Sequence, residues 1–229
     1  MTYSSPMDSY VSARGRALAL QILVIVQLVL HGLSMVGYGA GRLLLHGDFS
    51  GGIAAIVVAS VIGGFEWLLF IAASVVFLTW VHRSIANLPA LGSLNCRFTP
   101  SGAVWSYLIP FVNLVRGHQV MATIWTESQP ALMNENGFHL PLKTTIVNWW
   151  WAMCLVSYFG RKLVRADLFS ANRLSTATVE QLVLLAISGA AGLLFLKMVR
   201  RAQERQDAMW EDLERRRTVP PQPTADYLR

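Results

Sequence analysis

The stretch "FTPSGAVWSYLIPFVNLVRGHQVMATIW", residues 98–125, decides the fold, because it is apolar enough to enter a membrane but too interrupted to cross it. Its uninterrupted apolar part, residues 103–115, is 13 residues long and contains Pro110. A crossing helix needs about 20 apolar residues, whereas runs of about 10 to 14 are typical of re-entrant or interfacial pieces. We therefore predict a Pro-bent interfacial or re-entrant helical segment over residues 98–127 that does not span the membrane.

After the proline, polar residues recur at every third or fourth position, while Met121 and Trp125 fall on another face. This is the periodicity of an amphipathic helix. We expect the segment to lie at the inner membrane surface, where Arg116 and His118 offer a contact for anionic lipid headgroups. The residues that characterise it are Pro100, Pro110, Asn113, Arg116, His118, Gln119 and Trp125.

The composition of the chain is typical of a membrane protein. Of its 229 residues, 54% are hydrophobic and 14% are charged, whereas soluble domains carry about 25% charged residues. Four apolar runs are long enough to span, the third only if its tryptophans sit in the interfacial layer. We thus predict an all-α polytopic integral membrane protein with spans at about 17–38, 53–80, 143–160 and 179–197.

The distribution of positive charge sets the predicted orientation. With four spans and the N-terminus inside, 14 Lys and Arg residues face the cytoplasm and 5 face outward. Cytoplasmic loops carry an excess of these residues, so both termini are expected in the cytoplasm. A fifth crossing through residues 98–127 would carry the arginine-rich C-terminus outward, which this rule disfavours.

The same segment points to a family. Phe98, Pro100, Ile109-Pro110, Asn113-Leu114, Arg116, Gln119, Met121 and Trp125, followed by Trp149-Trp150-Trp151, resemble the bacterial membrane family catalogued as domain of unknown function 4328. The resemblance implies a multi-pass protein of the bacterial cytoplasmic (inner) membrane with no established activity. The family pattern carries a proline and an aromatic residue where this chain has Gly117 and His118.

Polar residues inside the predicted spans are the candidate functional residues. Glu66 lies near the middle of the second run, and Gln27 and His31 belong to one polar seam of the first. An intramembrane carboxylate is costly, so we expect Glu66 to face the bundle and to meet His31. The favoured interpretation is a hydrogen bond that holds helices together, and the alternative is a pair that moves a proton or a cation. Asn148 is expected to bond either Glu66 or the polar face of the 98–127 segment.

Other features predict packing and anchoring. Trp149, Trp150 and Trp151 are expected to anchor the third span at the membrane surface. Ser188 and Gly192 have the small-x-x-x-small spacing that permits close helix packing. Residues 200–217 form a predicted cytosolic amphipathic helix with Val199, Ala202, Gln206, Met209 and Leu213 on one face. The segments 1–16 and 218–229 are predicted to be disordered tails around a membrane domain at 17–199.

The sequence predicts no metal site, no cofactor and no nucleic-acid partner. Its five histidines are scattered, and it contains no H-E-x-x-H, G-x-S-x-G, P-loop or dinucleotide motif. We expect a non-enzymatic membrane component that binds lipid, protein partners or a second copy through residues 98–127 and the C-terminal helix. The alternatives are a small proton- or cation-coupled transporter or channel and, least favoured, an intramembrane enzyme.

Overall fold

The computed structural model describes residues 10–45, 47–93, 96–129, 143–167 and 174–218, with side chains except at 42–43, 163–167 and 174–182. Regular structure in these ranges is entirely helical, which confirms the predicted class. The helices are α1 (Arg14–Leu44), α2 (Phe49–Asn87), α3 (Pro100–Leu108), α4 (Pro110–Val112), α5 (His118–Glu127), α6 (Thr145–Asp167) and α7 (Leu174–Thr218), with a 3-10 turn at Pro89–Leu91 and a π-helical turn at Asn113–Gly117.

Four long helices form an antiparallel bundle in which α1 packs against α2 and α7, and α6 packs against α7. The ends of these helices are held by polar contacts: Asn87 Nδ2 donates to Val11 O at 2.9 Å, and Tyr10 OH donates to Asp207 at 2.6 Å. The start of α1, the end of α2 and the later part of α7 therefore share one end of the bundle. We name this the hairpin end, and we name the opposite end, where α1 joins α2, the loop end.

The segment at 98–127 folds back on itself as a helical hairpin. Thr99 caps α3 by accepting a hydrogen bond from Gly102 N, and Pro100 occupies the first turn. Ile109 is extended, with φ −89° and ψ 113°, because a residue before proline is pushed out of the helical region. The chain restarts at Pro110, passes through the π-helical turn and returns along α5. The predicted bend at Pro110 is thus a reversal of direction.

The hairpin enters the space between α2 and α6 from the hairpin end. Its base stays at that end, since Ser93 Oγ donates to Glu127 at 2.7 Å and Gln206 Nε2 donates to Ser128 Oγ at 2.9 Å. Its inner part reaches further along the bundle, where the rings of Tyr107 and Phe77 lie 4.9 Å apart. The hairpin therefore fills one half of the gap between α2 and α6.

In the part of the chain that the structure describes, three helices are long and apolar enough to cross a membrane: Arg14–Gly41, Phe49–Asn87 and Val183–Thr218. They leave large apolar side chains such as Phe65 and Trp67 more than 60% exposed, which a lipid environment accommodates and water does not. These helices indicate a membrane protein. The described part of α6 does not meet the same criterion of length and mean hydropathy.

The helices are longer than the predicted spans. Both α1 and α2 extend beyond 17–38 and 53–80 at each end, and α7 runs without a break through the predicted span at 179–197 and the predicted helix at 200–217. Residues 1–9 and 219–229 of the predicted tails lie outside the described residues. Residues 10–13 pack against the bundle, where the ring of Tyr10 stacks on Trp210 at 5.0 Å.

Close backbone contact joins α1 and α2 near the loop end. A β-carbon on Gly52 would lie 2.8 Å from Leu45 N and 2.9 Å from Gly41 O. Both neighbours are backbone atoms, so they have little freedom to move away. Asp48 fixes the start of α2 by accepting a hydrogen bond from Gly51 N at 3.0 Å. Glycine at position 52 is therefore a steric requirement of the α1–α2 contact.

We predict that Gly52→Ala lowers the free energy of unfolding by about 1–3 kcal/mol, because the added methyl group must push the two backbones apart. Thermal unfolding in detergent micelles measures this. The matched control is Gly64→Ala in the same helix, where an added β-carbon meets nothing within 4 Å. The control should unfold at the wild-type temperature or above it, and an unchanged Gly52→Ala protein would contradict the prediction.

Candidate functional site

The structure brings Glu66 of α2 to the polar seam of α1. His31 Nδ1 lies 3.1 Å from Glu66 Oε2, and Ser34 Oγ donates to Glu66 Oε1 at 2.6 Å. The side chains of His31 and Glu66 are only 18% and 16% exposed. The contact that the sequence predicted between His31 and Glu66 is therefore present, with Ser34 as an additional donor.

Arg161 of α6 extends this cluster across the bundle. Its Nη2 lies 3.2 Å from His31 Nε2 and 3.2 Å from Ser188 Oγ of α7. A guanidinium has only donors, so His31 Nε2 must accept and the proton of a neutral imidazole must lie on Nδ1, toward Glu66. Glu66 then accepts a hydrogen bond at each oxygen, as an ionised carboxylate does best. The result is an Arg–His–Glu chain of side chains that joins α6, α1 and α2.

Two adjoining cavities open at this cluster, between α2 and α6. The larger is about 830 Å³ and contains Gln27, His31 and Glu66 in its lining, and the smaller is about 520 Å³ and is lined mainly by apolar groups. Both are bordered by Trp67, Tyr158 and Arg161. We name the two cavities together the α2/α6 groove. It occupies the half of the α2–α6 gap that the hairpin leaves open.

The small residues of α2 lie in two environments: some pack against α1, and others border the groove. Ala59 and Ala73 are buried, and a β-carbon on Gly37 of α1 would lie 3.1 Å from the Ala59 methyl group. Gly63, by contrast, borders the larger cavity and has open space where a side chain would stand. Gly192 of α7 packs against Leu28 of α1, so the small-residue spacing there serves contact within the molecule.

Asn148 lies away from this cluster. It is near the start of α6, and its Oδ1 lies 2.8 Å from His118 Nε2 of α5. Its partner belongs to the 98–127 segment but lies outside the polar face of that segment, and the contact forms because α5 returns toward the hairpin end beside the first turn of α6. Asn148 thus joins the hairpin to the bundle and is not part of the groove.

The remaining hairpin residues have structural or surface positions. Trp125 is buried, donates from Nε1 to Lys143 O at 3.2 Å and lies under the Arg205 guanidinium, 4.4 Å from the ring centre. Arg116 and Gln119 are exposed. A β-carbon on Gly117 would lie 3.1 Å from both the Trp151 and Tyr107 rings, and Tyr107 OH donates to Gly117 O at 2.8 Å. A glycine at this position lets α3, α5 and α6 meet.

The three tryptophans of α6 take three different environments. Trp149 is 61% exposed, in agreement with an anchor at the membrane surface. Trp150 is buried and stacks on Phe195 at 5.7 Å, so its ring packs inside the bundle. Trp151 is partly buried and donates from Nε1 to Leu114 O at 3.2 Å. Successive helical residues point about 100° apart, which is why one of three adjacent side chains faces the core.

A second polar network closes the hairpin end. Trp80 Nε1 donates to Gln203 at 3.2 Å, and Gln203 Nε2 donates to Asp207 at 3.1 Å. Burial, together with the hydrogen bond to Asp207, raises the pKa of Tyr10. Sequence reasoning did not find this network, because Gln203 and Asp207 fall in a stretch of α7 with the composition of a solvated helix.

Metal-ligand side chains are dispersed in the part of the chain that the structure describes. No group of three His, Cys, Asp or Glu residues comes together there. Cys96 and Cys154 are both free. The described residues that line the α2/α6 groove supply the Glu66 carboxylate, the His31 imidazole, the Gln27 amide, the Cys154 thiol, hydroxyl groups and the cations of α6.

Comparison with known proteins gives one match. Residues 50–216 match the model of a family described as a domain of unknown function, DUF4328. This range covers α2 to α7 and so includes Glu66, Arg161 and the whole hairpin. No curated protein and no solved structure matches the chain.

Proposed function

Since the chain belongs to the DUF4328 family, whose function is unknown, we propose its role from the geometry of the bundle. We propose a non-enzymatic integral protein of the bacterial cytoplasmic membrane that binds a lipid molecule in the α2/α6 groove. In this proposal α1, α2, α6 and α7 all cross the membrane and both termini are cytoplasmic. The hairpin enters the bilayer from the cytoplasmic side and returns to it.

The position of α6 supports a fourth crossing. Its 23 residues extend about 34 Å at 1.5 Å per residue, which matches a hydrocarbon core of about 30 Å. It also runs along α7, with Trp150 against Phe195 near one end and Gly160 against Leu184 near the other. A helix that is packed lengthwise on a spanning helix shares its depth.

Exposed apolar residues at the hairpin tip support its place in the bilayer. Phe111 is 86% exposed, and Trp105 and Val115 are each 60% exposed. Such side chains on neighbouring turns are unfavourable in water and favourable against acyl chains.

The crossing of α6 can be tested with single cysteines in a protein whose Cys96 and Cys154 are replaced by serine. We expect Lys162→Cys to react with a membrane-impermeant thiol reagent on intact cells, and Lys143→Cys to react only after lysis. Both positions are exposed in the structure, so accessibility reports sidedness. Labelling of the two positions from the same side would rule out the fourth crossing.

The observation that supports lipid binding is a groove that combines the polar cluster of Glu66, His31 and Arg161 with apolar walls. Charged groups facing acyl chains are costly, so a groove that exposes them there needs a polar occupant. A phospholipid can enter laterally and present its headgroup to Arg161 while its chains lie along Trp67 and Phe195. A water-soluble ligand has no acyl chains to lie along these aromatic side chains.

Filling the groove tests this proposal. We expect Gly63→Phe to remove most of the phospholipid that the purified protein retains after extraction from liposomes, because the ring would occupy the larger cavity. Native mass spectrometry counts the retained lipid. The control is Gly32→Phe on α1, where a side chain also meets open space but does not border the groove. Equal retention by both variants and the wild type would refute a lipid site in the groove.

A small proton- or cation-coupled transporter is the second candidate, supported by the 3.1 Å contact between His31 and Glu66 and by Gln27 in the same cavity. Against it, the buried Trp80–Gln203 network and the hairpin fill the bundle beyond this cavity. If transport occurs, Glu66→Gln should abolish pH-dependent flux in proteoliposomes while the exposed Glu211→Gln control preserves it. Absence of flux in the wild type would exclude this role.

We also propose that the C-terminal helix contacts lipid or a protein partner, although less of its surface is open than the sequence predicts. Ala202 and Gln206, which the sequence placed on one face of this helix, are buried inside the chain. The exposed cations of the last turn, Arg215 to Arg217, are the part of α7 best placed to meet anionic lipid headgroups, a second copy or another protein.

A further inference from the structure

We infer that the α2/α6 groove selects a zwitterionic phospholipid whose headgroup carries a primary ammonium group, that is, a phosphoethanolamine lipid. This inference rests on the proposed lipid-binding function and adds the chemical class of the headgroup. Its basis is the separation of charge across the groove. Glu66 stands on the α2 side, and Arg161 and Lys162 stand on the α6 side.

The carboxylate side of the groove suits an ammonium group. Glu66 uses one lone pair on each oxygen to accept from Ser34 and from His31. An ionised carboxylate has about four such sites, so it keeps acceptor capacity toward the cavity that it borders. A primary ammonium donates N–H hydrogen bonds to these sites, whereas a quaternary choline has no N–H group to donate. Glu66 therefore distinguishes the two amines by hydrogen bonding as well as by charge.

The opposite side suits a phosphate. Lys162 is exposed at the rim and lies 4.6 Å from the centre of the Tyr158 ring, which also borders the groove. Arg161 adds a second positive charge, held in place by His31 and Ser188. Cations of Lys and Arg bind phosphate oxygens through charge-assisted hydrogen bonds. In a headgroup that lies across the groove, the ammonium group thus meets Glu66 and the phosphate meets the cations of α6.

Purely anionic and purely cationic headgroups fit less well. A glycerol-type anionic lipid would offer its phosphate to Lys162, but it would give Glu66 only a neutral hydroxyl donor, whose hydrogen bond is weaker than that of an ammonium, or a negative phosphate. Like charges that approach in a low-dielectric site repel strongly. The acyl chains do not discriminate, since the smaller cavity offers aromatic walls such as Trp150 and Phe195 to any of these lipids.

The test reconstitutes the full chain into vesicles with equal amounts of phosphatidylethanolamine, phosphatidylcholine and phosphatidylglycerol of identical acyl chains. Native mass spectrometry then measures which lipids stay bound after extraction. We expect phosphatidylethanolamine to be retained about tenfold over phosphatidylcholine, as one charge-assisted hydrogen bond allows. Glu66→Gln should bring the two to near parity, and Glu211→Gln, an exposed carboxylate on α7, should leave the preference unchanged.

The possible outcomes distinguish the headgroup inference from the lipid-binding proposal on which it rests. Equal retention of the two zwitterionic lipids by the wild type, or a preference for phosphatidylglycerol, would overturn the headgroup inference and leave the lipid-binding proposal in place. A preserved preference in a folded Glu66→Gln protein would overturn it as well. Retention of no lipid at all would refute the proposed function itself. The wild-type comparison decides the matter even if the Glu66 variant does not fold.

Discussion

The structure depends on the separation of α2 from α6 by the helical hairpin. In the half of the bundle nearest the chain termini, α3 and α5 occupy this gap, and Gly117 lets the rings of Tyr107 and Trp151 come within contact. In the other half the gap stays open and becomes the α2/α6 groove. A hairpin that ends partway along the bundle therefore creates both a closed end and an open end. The residue that terminates it is Ile109, extended because proline follows.

The two halves treat polar groups differently for a physical reason. At the closed end, Trp80, Gln203 and Asp207 bond to each other and to Tyr10, so these groups satisfy one another inside the protein. In the open half, Glu66 and Arg161 are joined through His31, so both side chains have polar partners within the protein while they border the groove. The first arrangement holds the helices together, and the second leaves polar side chains at the groove, where a ligand can contact them.

The same cluster explains how packing and binding can share residues. The contacts of His31, Ser34 and Ser188 with Glu66 and Arg161 link four helices, α1, α2, α6 and α7. The favoured interpretation from the sequence, a hydrogen bond that holds helices together, and the alternative, a functional pair, are thus compatible in one geometry. A carboxylate that accepts two internal hydrogen bonds still has lone pairs for an external donor.

By itself the sequence determined the features that depend on local pattern. The long apolar helices follow from run length, the break at Pro110 follows from its effect on Ile109, and the approach of His31 to Glu66 follows from helical periodicity in two consecutive antiparallel helices. Only the tertiary structure decided which distant elements meet. Trp150 lies in the core next to Phe195, Gln206 is buried inside the chain, and Arg161 contacts His31 and Ser188 on two other helices. Their actual environments depend on how α6 and α7 pack against the hairpin and α1, and helical periodicity within one segment contains no information about such contacts.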